Sequence, residues 1–126
     1  MPKQATYINE HLFLQELIEQ LSKLRGIHVE DAFGDNGIDV LVVDPHTGKR
    51  IAIECKSARE YGELPIATML PIARLVKKDP TQQVILVSFS SVPDLLSTKL
   101  KELNVQTLTL PTVSQVVEKV QLALSA

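Results

Sequence analysis

Apolar positions along this chain switch between a helical and a strand-like period. Across residues 8–25, Phe13, Leu14, Leu17, Ile18, Leu21 and Leu24 fall on one helical stripe, which Gly26 ends. Residues 27–33 read as a first strand, followed by the turn sequence Gly34-Asp35-Asn36-Gly37. Two more strand-like runs, 38–43 and 50–56, flank Pro45-His46-Thr47-Gly48, with proline in second place if Asp44 opens the turn. Residues 63–78 have a helical pattern that Pro65 opens and that Pro71 is expected to kink or split. The run 84–89 is apolar but for Ser88, as in a strand buried on both faces. A helix over 93–103, a short strand over 105–110 and an amphipathic helix over 112–124 complete the chain. Strands in a meander, then helices and strands in alternation, predict an α/β fold with a central mixed sheet covered by helices.

The charges that interrupt the central hairpin change the picture. Burying an unpaired carboxylate or ammonium is costly, yet Asp39, Glu54 and Lys56 sit within apolar strand runs. If Asp44 pairs with Lys49, the register carried along the hairpin sets Asp39 opposite Glu54, with Cβ atoms roughly 5 Å apart. Glu54 and Lys56 share a face because side chains alternate, and Cys55 points the other way as a small apolar residue. Two carboxylates that close repel unless a positive charge lies between them, so a divalent cation is expected there. Oxygen ligands favour Mg²⁺ or Mn²⁺, and Mg²⁺ keeps several waters while taking only one or two carboxylates. Water bound to such a cation is more acidic, and Lys56 can position it or offset charge developing on a phosphoryl group. Phosphodiester hydrolysis is the chemistry that fits.

The stretch Gly37-Ile38-Asp39-Val40, a short hairpin and then Ile53-Glu54-Cys55-Lys56-Ser57 resembles the core motif of the PD-(D/E)xK nuclease superfamily. Within that superfamily the chain is most similar to small archaeal-type Holliday junction resolvases. The resemblance implies a restriction-endonuclease-like three-layer fold, metal binding by Asp39 and Glu54, and assistance to the nucleophilic water from Lys56. It departs from the motif at Ile38, where the family's proline would stand. The family often adds an acidic residue on the first helix, and the candidates here are Glu10, Glu16 and Glu19. At 100° per residue Glu10 continues the stripe of Phe13, Leu14 and Leu17, Glu16 falls to one side and Glu19 points opposite. Glu10 is therefore the third expected catalytic and metal-binding residue. The alternative is that it merely favours the positive end of the helix.

Other candidates carry less chemistry. His11, His28 and His46 lack a paired ligand spacing. Asp35 is close to Asp39 in sequence but fits a turn role, and Ser57 and Arg59 are candidates for a phosphate contact, Arg59 equally for a solvated pair with Glu60.

Composition sets the outer limits. The 126 residues suffice for one domain, 1–126, and contain no repeats or linkers. No apolar stretch approaches bilayer length, the N-terminus lacks a signal-peptide core, and one cysteine excludes an internal disulfide framework; a cytoplasmic location without a membrane partner is expected. A net charge of −2 argues mildly against avid DNA binding unless basic residues cluster, as Lys49, Arg50, Lys56, Arg59, Arg74, Lys77 and Lys78 could. Two function classes follow: a metal-dependent DNA endonuclease, with branched DNA as a candidate substrate, or a catalytically silent nucleic-acid-binding or assembly domain. A homodimer is expected, since cutting two strands takes two sites. Its apolar surface would come from Leu64, Ile66, Met69, Leu70, Ile72 and Leu75, or from the valines and leucines of the last helix. A partner protein supplying target specificity is the further option, because a chain this short has little room for a recognition domain.

Overall fold

The computed structural model describes residues 2–35, 38–57 and 62–126. In chain order the elements are helix α1 (Pro2–Ser22), strands β1 (His28–Asp35), β2 (Ile38–Val43) and β3 (Arg50–Lys56), a 3-10 turn (Ile66–Thr68), α2 (Met69–Lys78), β4 (Gln83–Ser88), α3 (Asp94–Glu102), β5 (Gln106–Thr109) and α4 (Val113–Ser125). The strands lie in the order β1-β2-β3-β4-β5. The first three are antiparallel, and β4 and β5 run parallel to β3. The sheet is mixed, as the alternation predicts.

Strand alternation divides the core into two layers. Val40, Val42, Ile51, Ile53, Cys55, Ile85 and Val87 pack with Leu17 and Leu21 of α1 and Val116 and Val120 of α4. On the other face Ala52, Val84 and Leu86 meet Ile72 and Leu75 of α2 and Leu96 and Leu100 of α3. Burial of both faces explains why residues 84–87 of β4 read as an unbroken apolar run. Helices α2, α3 and α4 each begin beyond the carboxyl end of the strand before them, so their N-termini share that end of the sheet with Lys56 and Ser88.

The hairpin turn has the expected chemistry. Asp44 N–H donates to the Lys49 carbonyl (2.9 Å), Gly48 N–H to the Asp44 carbonyl (2.8 Å), and His46 N–H to Asp44 Oδ1 (2.9 Å). Gly48 takes a φ of +79°, which an L-residue adopts only with strain. Carried on from there, the ladder pairs Val43 with Arg50 and Val40 with Ile53, the register anticipated above.

Element ends differ from the sequence reading for local reasons. Helix α1 begins at Pro2, earlier than the stripe shows, and stops at Ser22 rather than Arg25. Lys23 and Leu24 N–H groups bond three residues back, to Gln20 and Leu21, so a tightened turn keeps Leu24 on the core after the α-helix has ended. Strand β1 continues through Asp35, with a register shift between Asp31 and Asp35, so Gly34 and Asp35 belong to a strand rather than a turn. Asn36 and Gly37 lie outside the described residues. Pro71 neither kinks nor splits α2: it stands in the first α-turn, where a missing N–H costs little. Thr112 caps α4 through a capping box with Gln115. No helix among the described residues is long and apolar enough to cross a membrane.

Among the described residues the basic side chains do not form one patch with Lys56. Lys49 and Arg50 stand at the opposite end of β3 from Lys56, roughly 20 Å away at strand rise. Lys49 Nζ donates to the carbonyl of Leu124 (3.0 Å) and to that of Ala126, and Arg50 Nε lies 3.8 Å from Asp79 Oδ2. Lys77 and Lys78 end α2 just before Asp79, at that same far end, with Arg74 about one turn earlier. Arg59 and Glu60 lie outside the described residues.

Candidate active site

The carboxyl end of β3 and the start of β2 bring two acids together. Asp39 precedes Val40, the last ladder partner of Ile53, so it falls beside Glu54. Its side chain turns into the strand end, and Oδ2 accepts a hydrogen bond from the Cys55 N–H at 2.7 Å. That short charge-assisted bond holds one carboxylate oxygen in place. Glu54 is 4% exposed, and its Oε1 lies 3.5 Å from Lys56 Nζ. Its other oxygen, Oε2, is buried and has no hydrogen-bond partner among the described residues. Burial, followed by the charge of Asp39, pushes the Glu54 carboxyl up to about 8, with Lys56 opposing only in part. The Lys56 side chain stays about one-third exposed, so the ammonium borders solvent. The Phe89 N–H donates to the Lys56 carbonyl (2.9 Å) and fixes the backbone beneath it.

Cys55 points into the first core layer, as strand alternation requires. Burial, with Asp39, Glu10 and Glu54 nearby, drives its thiol pKa upward. A thiol held protonated is no nucleophile.

Glu10 reaches the same end of the sheet. It is half-buried, and its Oε2 accepts a hydrogen bond from Ser57 Oγ at 2.8 Å. Glu16 and Glu19 are exposed. Because α1 starts at Pro2, Glu10 stands well beyond the first helical turn, and the helix-end alternative for it falls away. Among the described residues no three His, Cys, Asp or Glu side chains converge closely enough to hold a metal. Asp39 and Glu54 thus form a pair, with Glu10 set apart on Ser57. The pair fits a hard divalent cation: two adjacent carboxylates and a buried oxygen without a partner lack a positive charge that such an ion supplies, and Mg²⁺ accepts one or two carboxylates.

A cleft of about 230 Å³ opens beside Asp39, between α1 and the β1–β2 pair. His11, Leu14, Gln15 and Ile18 line one wall, Asp31 and Asp39 the other. Sequence reading set His11 aside for lack of a partner. The signal it missed was periodic, since His11, Leu14, Gln15 and Ile18 occupy a single helical face. The side chain of Asp35 lies outside the described residues.

A family model described as "Restriction endonuclease" (Mrr_cat) matches residues 9–116. No curated protein sequence matches the chain. Among solved structures, the protein of unknown function AF1548 aligns with a TM-score of 0.53 at 19% identity, over 78% of this chain and 58% of that one. A repair endonuclease from Pyrococcus abyssi aligns with a TM-score of 0.49 at 19% identity, over 79% of this chain and 46% of that one. The chain thus spans less than two-thirds of the length of either protein, and at 19% identity the first likeness concerns the fold alone.

Proposed function

This chain belongs to the restriction endonuclease family, and from that premise we propose that it is a divalent-metal-dependent endodeoxyribonuclease acting through Asp39, Glu54 and Lys56. The observation that carries the reading is the buried Oε2 of Glu54, without a hydrogen-bond partner among the described residues, beside a second carboxylate. Asp39 and Glu54 would hold Mg²⁺ or Mn²⁺, which would lower the pKa of a water and shield charge on the scissile phosphate. Asp39 is preset for this by the Cys55 N–H, which leaves its second oxygen for the cation. Lys56, tethered to Glu54 and open to solvent, donates a hydrogen bond to the attacking water and balances charge that develops on the phosphoryl oxygens. Glu10 contributes through a water rather than directly. The residues form one domain, with DNA as the substrate in the cytoplasm.

A second reading, a catalytically silent DNA-binding or assembly domain, is favoured by the net charge of −2 and by basic residues gathered at the far end of the sheet. Incubation with linear, nicked, flapped and four-way DNA in Mg²⁺ or Mn²⁺ separates the two. Metal-dependent cuts are expected, with branched DNA preferred. Binding without cleavage on every substrate would leave the silent domain, and preference for linear duplex would remove the junction specificity.

We propose in addition that the active form is a homodimer. Of the two apolar surfaces considered, α4 uses Val116 and Val120 in the core and packs Val113, Val117 and Leu124 against it, leaving Leu122 exposed. The segment leading into α2 buries Leu64, Ile72 and Leu75 but leaves Ile66 and Leu70 exposed, at the same end of the sheet as the carboxylates. Light scattering should report twice the 13.9 kDa of one chain at micromolar concentration. A monomer that persists with DNA and metal present points instead to a nickase or to a subunit whose partner protein supplies specificity.

A further inference from the structure

We propose that Ser57 is the positioning residue that orients the Glu10 carboxylate toward the cation site of Asp39 and Glu54. The inference rests on the nuclease reading above. Among the described residues, an aromatic contact and a hydrogen bond tie α1 to this end of the sheet. The Phe13 ring meets Phe89 edge-on, with centroids 5.0 Å apart, and Ser57 Oγ donates to Glu10 Oε2 at 2.8 Å. They do different things. The ring contact is apolar and docks the helix where β4 ends, whereas the hydroxyl acts only on the carboxylate.

A glutamate on a helix surface otherwise samples several rotamers, and its carboxylate spends little time in any one place. Ser57 directly follows Lys56, so its hydroxyl is fixed by the same strand that carries Glu54. Its hydrogen bond engages Oε2, and an ionised carboxylate retains acceptor capacity on Oε1. Ser57 holds Glu10 one residue past the strand that carries Glu54, and the Cys55 N–H on that strand holds Asp39, so Glu10 meets the same strand end as the pair although the three do not form one ligand group. A carboxylate at that remove would accept a hydrogen bond from a water carried by a bound cation. Partners of this kind fix the water's orientation and strengthen binding of the metal without touching it.

Calorimetric titration of Mn²⁺ into the wild-type protein, Ser57→Ala, Ser57→Thr, Glu10→Gln and the double variant Ser57→Ala/Glu10→Gln tests this, with melting temperature and DNA cleavage measured alongside. Ser57→Ala is expected to weaken Mn²⁺ binding by on the order of 10-fold and to slow cleavage, while the metal-free melting temperature barely moves because Phe13 still docks the helix. Ser57→Thr keeps the hydroxyl and restores both. In the Glu10→Gln background Ser57→Ala adds little, since the carboxylate it orients is gone. Unchanged Mn²⁺ affinity in Ser57→Ala, or an equal loss with and without the Glu10 carboxylate, overturns the assignment while leaving the nuclease reading intact. Should Ser57→Ala fail to fold, Ser57→Val against the isosteric Ser57→Thr makes the same comparison, with equal affinities counting against the proposal. A wild-type protein that neither binds Mn²⁺ nor cuts DNA sinks the nuclease reading, and the role of Ser57 with it.

Discussion

Cleavage is expected to fall by on the order of 1,000-fold when Asp39 is replaced by Asn, Glu54 by Gln or Lys56 by Ala, with the protein still folded. Each change removes one charge where the chemistry needs it. Asparagine keeps an oxygen to accept from the Cys55 N–H, so the strand end is preserved while a metal ligand loses its charge. Glutamine relieves the burial of a carboxylate beside another carboxylate. Alanine at Lys56 removes an ammonium that already borders solvent, so little packing is lost. Circular dichroism and melting curves establish that the variants fold, and a cleavage assay in Mn²⁺ reads the loss. Full activity in either carboxyl variant would show that the catalytic centre lies elsewhere.

The metal-free protein is expected to lose stability as pH rises, through Glu54. Its folded carboxyl stands at about 8 against an ordinary 4.5, because burial and Asp39 disfavour the charge. Between those values the folded state binds a proton that the unfolded chain has released. The contribution is therefore complete below about 4.5 and is lost as pH rises through about 8. At about 1.4 kcal/mol for each pH unit, the ceiling is about 5 kcal/mol, and a few kcal/mol is the working expectation. Without metal, the wild-type protein should melt lower at pH 8.5 than at pH 6, by on the order of 10 °C. Glu54→Gln should flatten that dependence and melt higher at pH 8.5. Mn²⁺ should restore wild-type stability at high pH, since a bound cation removes the reason to hold the proton. Parallel pH profiles for wild type and Glu54→Gln would contradict the buried-carboxylate geometry.

Much of this was legible in the chain because it depends on neighbours in sequence. The hairpin register follows from one turn, and once Asp44 meets Lys49 every pair down to Val40 and Ile53 is determined. Strand alternation then sends Cys55 to one core layer and Glu54 to the other side, and the apolar run of β4 announces burial on both faces. Helical angle alone sets Glu10, and not Glu16 or Glu19, on the stripe that docks on the sheet, and of the three only Glu10 is half-buried. Helix ends were read less well: a tightened turn and a proline in a first α-turn both preserve the apolar pattern while changing the backbone.

The sequence by itself thus determined the order of elements, the mixed sheet and the meeting of Asp39 with Glu54, all consequences of local period and turn geometry. Tertiary structure alone decided how deeply Glu54 is buried, and hence how far its proton is held, because that depends on helices packed from distant parts of the chain. It also decided that Ser57 meets Glu10, 47 positions away, and that His11 and Asp31 share a cleft with Asp39. The basic residues that composition invited into one patch were parted for the same reason. Strand direction carries Lys49 and Arg50 to one end of β3 and Lys56 to the other, and no count of charges along a sequence contains that direction.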